Sequence, residues 1–191
     1  FQVKAITQRK DPIFYALHCG FPVTAAQSTM GIGIEVATKR HLSDIEGGMN
    51  LLVVRAVTEA GDMMLIIKLR PKHPGQVKTA LMAALSGPYL HPKLAIAVDE
   101  DIDANDLRQV AWSMTTRVHA ERDVTMIPET RVFSLDNISP TAPGMGSFAR
   151  VGTKWLIDAT IPAHLSEAER YNFEPAFPKN FENVNLKDYL P

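Results

Sequence analysis

Four carboxylates crowd into five residues, Asp99, Glu100, Asp101 and Asp103, directly after the apolar run 94–98. Hard cations such as Mg²⁺ take carboxylate oxygens, and the C-terminal end of a strand in an α/β sheet opens onto a crevice, so the cluster is a candidate metal site. The same residues suit a strand-to-helix corner, with Asp101 and Asp103 accepting backbone N–H bonds near the positive end of a helix dipole. No phosphate-cradling glycine loop or catalytic lysine motif accompanies them, which favours the corner. Arg131, Phe133 and Leu135 in ETRVFSL form a second set. In an extended segment alternate residues share a face, and an apolar slot with one guanidinium suits an aromatic carboxylate; an edge strand over a core has the same pattern. His91 and Lys93 in YLHPK could donate to an anion or stand as an exposed loop pair. Cys19 has no activating base in its sequence surroundings and reads as a small buried hydrophobe. Asn137-Ile138-Ser139 matches a glycosylation acceptor, which carries little meaning without a secretory signal.

The elements that must position these groups follow from periodicity. Polar-apolar alternation over Gln2–Thr7 and the apolar run Ile13–Cys19, separated by Asp11-Pro12, predict an opening pair of strands. Thr24 is a cap for a helix across Ala25–Arg40, where Gly31 and Gly33 imply close packing. Leu51–Thr58 and Met63–Leu69 flank Glu59-Ala60-Gly61-Asp62 as a hairpin. Val77, Ala80, Leu81, Ala84 and Leu85 fall on one helical face. Leu94–Val98 is apolar on both faces, as a strand covered by helices would be, and Val124–Ile127 reads the same way. Between them, Leu107, Val110, Ala111, Met114 and Val118 predict a helix capped by Asp103, with Asp106 three residues on. Trp155–Ile161 is the last predicted element before a tail of prolines and aromatics. The expected fold class is α/β: a layered domain with a mixed, largely parallel sheet flanked by helices, plus N-terminal strands and an extended C-terminal tail.

Bulk composition narrows the function. The 191 residues are 46% hydrophobic and 21% charged, enough for a real core in one domain. Twenty basic and 21 acidic residues leave a net charge of -1, so no basic field draws nucleic acid or anionic lipid. A single cysteine excludes an internal disulfide, and the six histidines form no HExxH pattern. No apolar run nears the roughly 20 residues that span a bilayer, and no signal peptide is legible, so a soluble, cytoplasmic protein is expected. Residue 1 is Phe rather than Met, and a strand already reads from Gln2, as if the chain began within a larger structure.

At AITQRKDPIFYALHCG, VDEDID, WSMTTRVHAERDV and GTKWLIDATIP, in order from residue 1 to about Pro162, the sequence resembles the C-terminal part of the UbiD family of reversible decarboxylases. That resemblance implies prenylated FMN, a divalent metal (Mn or Mg) and K⁺ in the intact enzyme, acting on aromatic or α,β-unsaturated carboxylic acids. The family's catalytic Glu-Arg-Glu set, its metal ligands and most cofactor contacts precede the matched part. No catalytic, metal or cofactor-binding residue is therefore expected here, and no cofactor on this chain alone. The implied organisation is 1–20 as strands ending the preceding cofactor domain or linker, 21–162 as an oligomerisation and substrate-lining domain, and 163–191 as a tail packing on a partner subunit through anchors such as Phe177 and Phe181. A homo-oligomer, dimer or hexamer, and an N-terminal cofactor domain are the implied partners.

The ferulic-acid-decarboxylase branch is the most similar in its pocket motif. It carries over Ala26 and Met30 as pocket positions on the first helix and His91 where that branch has a small hydroxyl-bearing residue. Arg131, Phe133 and Leu135 match its Arg-x-Phe-x-Leu register, with the aromatic and the leucine on substrate. Ala26 and His91 change the size and polarity of the pocket. In the family the acidic stretch is a structural corner. Two other readings stand beside this one: a purely structural assembly module, and a free-standing Mg²⁺-dependent α/β enzyme built on Asp99–Asp103.

Overall fold

Thr24 opens the first helix, α1 (Ala25–Ser43): its hydroxyl accepts from the Gln27 N–H, and the Gln27 amide oxygen accepts from the Thr24 N–H at 3.0 Å. Ile34, Thr38 and Leu42, at helical spacing, are its buried stripe. These coordinates are a computed structural model describing residues 1–16, 18, 23–45, 49–146, 149–176, 180 and 183–189. Strands β1 (Leu51–Ala56) and β2 (Met64–Leu69) pair antiparallel across a 3₁₀ turn at Thr58–Ala60, the hairpin expected there. Helix α2 (Gln76–Leu85) buries Val77, Ala80, Leu81, Ala84 and Leu85, the residues whose spacing predicts it.

Strand β3 (Leu94–Val98) lies between β2 and β5 (Arg150–Asp158) and runs parallel to both. Strand β4 (Val124–Val132) closes the far edge antiparallel to β5, for a sheet order β1-β2-β3-β5-β4. The period-2 pleat sends Leu65 and Ile67 to one face, against Ile34 and Leu42 of α1 and Leu81 and Leu85 of α2. Ile66 goes to the other face, with Ile96, Val98, Ile157 and Val110 of helix α3 (Leu107–Thr116). The architecture is the expected layered α/β fold, with a parallel centre and antiparallel edges. A short helix, α4 (Ala120–Asp123), leads into β4. No helix among the described residues is long and apolar enough to cross a membrane.

Several local expectations are corrected. The strands predicted over Gln2–Thr7 and Ile13–Cys19 do not form: residues 1–16 join no ladder, and Leu17 and Cys19 lie outside the described residues. Alternation sets which side chains share a face, but a strand also needs a partner edge for its backbone hydrogen bonds. Helix α3 is capped by Asp106, which accepts from the Arg108 N–H at 2.9 Å; Asp103 instead accepts from the Asn105 N–H, one turn earlier. Strand β4 is nine residues long and at an edge, not a short central strand, and its register breaks between Ile127 and Thr130. Pro128 cannot donate to a ladder, and Glu129 has a φ of 55°, so the break follows from the residues there. Past β5 the tail is not wholly extended: among the described residues α5 (Glu167–Arg170), with a Ser166–Glu169 capping box, and two 3₁₀ turns punctuate it. Phe177 and Phe181 lie outside the described residues.

Candidate functional site

The four-carboxylate cluster resolves as a corner. Asp99 accepts from the Ile161 N–H at 2.5 Å and from Arg117 Nη1 at 3.4 Å, and Arg117 reaches both oxygens of Asp101, at 3.0 and 2.5 Å. Glu100 pairs with Arg70. Arg117 is itself buried, and its Nη2 also donates to the Phe173 carbonyl at 2.8 Å, which ties the tail to this corner. Burial pushes Asp99 up to a pKa of about 6, with the Ile161 N–H and then Arg117 pulling the other way. The acids are held by a guanidinium and by backbone, and among the described residues no group of three or more His, Cys, Asp or Glu side chains is arranged to hold a metal.

A cleft of about 580 Å³ opens at the other end of β3. Its first wall is the N-terminal part of α1, with Ala26, Gln27 and Met30 preceded by Val23. Its second is the β1–β2 connection from Thr58 to Met63. This loop is wound tightly: the Val57 carbonyl accepts from the Ala60 and Asp62 N–H groups at 3.0 and 3.2 Å, and Gly61 and Asp62 are both left-handed, at φ 67° and 60°. Glycine takes that conformation freely and aspartate tolerates it. Gly31 lets α1 approach: a Cβ there would lie 2.8 Å from Thr58 Cγ2 and 3.1 Å from Asp62 Oδ1.

His91 forms the third wall, just before β3, and Phe133, Leu135 and Asn137 form the fourth, just after β4. The rings of His91 and Phe133 lie 3.8 Å apart at 31°, with Tyr89 6.2 Å from His91. Both His91 nitrogens are buried without a hydrogen-bond partner among the described residues, and burial lowers the pKa of the ring, which favours the neutral imidazole. The third and fourth walls are clamped together. Lys93 donates to Asp136 at 2.9 Å, the Ser139 hydroxyl donates to the same carboxylate at 2.6 Å, and Arg150 donates to the carbonyls of Ser134 and Ser139. Burial raises the Asp136 pKa, but the bonds from Ser139 and Lys93 outweigh it and leave it below the usual range. Lys93 is thus committed to architecture rather than to an anion.

Of the six residues proposed from sequence to meet substrate, five line this one cleft: Ala26, Met30, His91, Phe133 and Leu135. Arg131 does not join them. It borders a separate groove with Met82, Ile127 and Lys154, the last of which donates to the Leu85 carbonyl. The alternation argument fails for it because β4 ends at Val132, and the chain then turns, with the Asp136 N–H bonded to the Phe133 carbonyl. Sequence reasoning missed Asp62. Its sequence signal was an acid following Gly61 at the end of the hairpin turn, which reads as turn chemistry alone.

Among the described residues lining the cleft there is no Lys or Arg, while Glu59 and Asp62 are both present. This donor set does not fit a flavin phosphate, which takes cationic or backbone N–H partners. No step is therefore assigned here to a cofactor.

Comparison with known proteins gives the family. Residues 28–159 match the model of the 3-octaprenyl-4-hydroxybenzoate carboxy-lyase C-terminal domain. The chain is 34% identical over 163 residues to a phenolic acid decarboxylase of Sedimentibacter hydroxybenzoicus, covering 84% of this chain and 32% of that protein. Its fold is similar to the UbiD-class enzyme HmfF from Pelotomaculum thermopropionicum, solved in complex with FMN, with a TM-score of 0.72 and 25% identity over 86% of this chain and 34% of that one. It is also similar to the vanillic acid decarboxylase of S. hydroxybenzoicus in its closed form, with a TM-score of 0.70 and 28% identity over 96% and 36% of the two chains. The chain spans about a third of the length of the proteins it matches. With the match running from α1 through β5 and taking in most of the cleft, the chain belongs to the UbiD carboxy-lyase family, as its C-terminal domain.

Proposed function

We propose that this domain forms one wall of the substrate pocket, and an assembly surface, of a UbiD-type reversible decarboxylase acting on aromatic or α,β-unsaturated carboxylic acids. The observation that carries the reading is the gathering of five separately placed motif residues into one cleft around the His91–Phe133 stack. An aromatic ring or conjugated chain packs against Phe133, Met30 and Leu135, while the small Ala26 leaves room at the foot of α1. The absence of a cation among the described lining residues directs the substrate carboxylate away from this wall, toward the catalytic Glu-Arg-Glu set that we place in the preceding part of the polypeptide. Prenylated FMN, with a divalent metal and K⁺, is held there as well. It supplies the electron sink for loss of CO₂.

Assembly is supported by apolar surface that water would otherwise cover. Met126 and Trp155, cross-strand partners on β4 and β5, are both exposed, as are Phe1, Ile6, Ile13 and Phe14. Homo-oligomer contacts and the cofactor domain are the proposed occupants of these surfaces.

Phe133→Ala in the full-length enzyme tests the pocket role. Removal of the ring is expected to lower kcat/KM for aromatic acids by about tenfold or more, since burying a phenyl side chain is worth about 1.5–3 kcal/mol. Unchanged turnover and KM for every accepted acid would refute it.

A further inference from the structure

Arg131, which the cleft leaves out, shares its groove with a second cation. The groove, about 540 Å³, lies between the C-terminal half of α2 and strand β4 and has no lining residue in common with the cleft. Lys154 lines it as the cross-strand partner of Ile127 and is only 6% exposed. Its Nζ donates to the carbonyl of Leu85, the last residue of α2, at 2.5 Å, and among the described residues it forms no ion pair. A helix C-terminus supplies only about half a negative charge, whereas buried charges are ordinarily paired in full. Burial lowers the Lys154 pKa with no acid opposing it. Arg131 is exposed, and its guanidinium has neither a hydrogen bond nor an ion pair among the described residues. Two cations thus border one groove, and the described residues balance neither.

The rest of the lining decides what such a pair would hold. No Asp or Glu is on the described lining, the reverse of the cleft, where Glu59 and Asp62 stand without a Lys or Arg. The hydroxyl protons are already committed: Thr79 donates to the Gly75 carbonyl, Ser86 to that of Ala83, and Thr130 to those of Ile127 and Gly152. Recognition of an anion therefore falls to the guanidinium and the ammonium. A guanidinium fork matches a carboxylate bidentately, and Met82, Ala83, Leu85 and Ile127 offer apolar lining to a hydrocarbon body behind it. The volume is that of small-molecule sites, roughly 300–1,000 Å³. We propose that the groove between α2 and β4 is a second, non-catalytic site for a small monocarboxylate carried on an apolar body, with Arg131 and Lys154 as its charge partners. The site depends on neither the decarboxylase reading nor any unsaturation in the acid.

The test is calorimetric titration of octanoate, a saturated acid, and of its uncharged analogue octanamide into the full-length enzyme and its Arg131→Gln and Phe133→Ala variants. Arg131 is exposed, so its replacement leaves the core intact. Octanoate should bind the wild type and Phe133→Ala within about threefold of each other and Arg131→Gln about fivefold more weakly, and octanamide, which forgoes both cations, should bind the wild type about tenfold more weakly. Equal binding of octanoate by the wild type and Arg131→Gln overturns the proposal. Weakening in Phe133→Ala alone places the acid in the cleft and overturns it too, and octanamide binding as tightly as octanoate reduces the groove to apolar contact. Light scattering covers the other occupant of matching charge. If octanoate fails to bind the wild type while Arg131→Gln or Lys154→Met lowers the oligomer size, the two cations serve an acid of a second copy of the chain, and the small-acid site is refuted.

Discussion

Strand β3 has a buried acid beyond each of its ends, and the two are treated in opposite ways. Past its C-terminal end, Asp99 is gripped by a backbone N–H and by Arg117, which also grips Asp101. Beside its N-terminal end, the Met63 carbonyl accepts from the Lys93 and Leu94 N–H groups; among the described residues the neighbouring Asp62 has a carboxyl oxygen without a hydrogen-bond partner, and both nitrogens of the His91 ring are likewise without one. The corner keeps one unpartnered atom among the described residues, Arg117 Nε, but its carboxylates are paired; a paired polar cluster rigidifies a fold, whereas unpaired buried groups are a loss of stability. Binding sites in α/β sheets usually lie at the carboxyl ends of the strands. Here that end is closed by the arginine, and the cleft lies at the opposite edge, where β1 and β4 finish and β2, β3 and β5 begin.

The sharpest way to break this contrast is Arg117→Ala. It would strand Asp99 and Asp101, and the expected loss is about 3–5 kcal/mol in urea denaturation; a loss below about 1 kcal/mol would mean that the corner is not the keystone described. The next effect is on pH dependence. Asp99 is raised from 3.8 to about 6, so between those values the folded chain holds a proton that the unfolded chain gives up. Its contribution is complete below about pH 4 and is lost as pH rises through 6, by roughly 3 kcal/mol. Asp99→Asn should therefore flatten the fall in stability between about pH 4 and 7.5. Asp62 and Asp158 are shifted the same way, so part of the slope should survive; an unaltered slope would remove Asp99 from the account.

At the cleft the expected effects on stability are smaller. Gly31→Ala forces a methyl against Thr58 and Asp62 and should cost about 1–3 kcal/mol while weakening ligand binding in the full-length enzyme. Full stability in that variant would show that the loop yields easily. His91→Phe removes two nitrogens that have no partner among the described residues and keeps a ring against Phe133, so the stability should stay within about 1 kcal/mol of wild type in urea denaturation. A loss as large as that expected for Arg117→Ala would mean that His91 is architectural, and the contrast between the two ends would collapse.

What could be read in the sequence was whatever a local pattern determines. Apolar spacing marked α2, the doubly apolar LAIAV marked the central strand, and Thr24 marked the start of α1, because each signal acts within a few residues. Partnership was not legible. The 1–16 segment alternates but finds no ladder, β4 continues past Pro128 because β5 holds it, and Arg131 parts from Phe133 where the strand gives way to a turn. For the site, family likeness located five cleft residues that periodicity alone could not bring together. Asp62 escaped both approaches, since a buried carboxyl oxygen without a partner among the described residues is visible only once the chain is folded.

The four walls of the cleft are connections and a helix end, hung on the rim of the sheet rather than drawn from its pleated faces. The residues that fill the core, such as Leu65, Ile67 and Leu156, take no part in lining it. Diversification and durability are thereby partly uncoupled: among descendants of one scaffold, side chains such as Met30, Phe133 and Leu135 can change without touching Leu65, Ile67 or Leu156, while the buried Asp62 and Asp136 hold the two connections in their course. Changes of diet in such a lineage would be written on the rim, and the sheet beneath would keep no record of them.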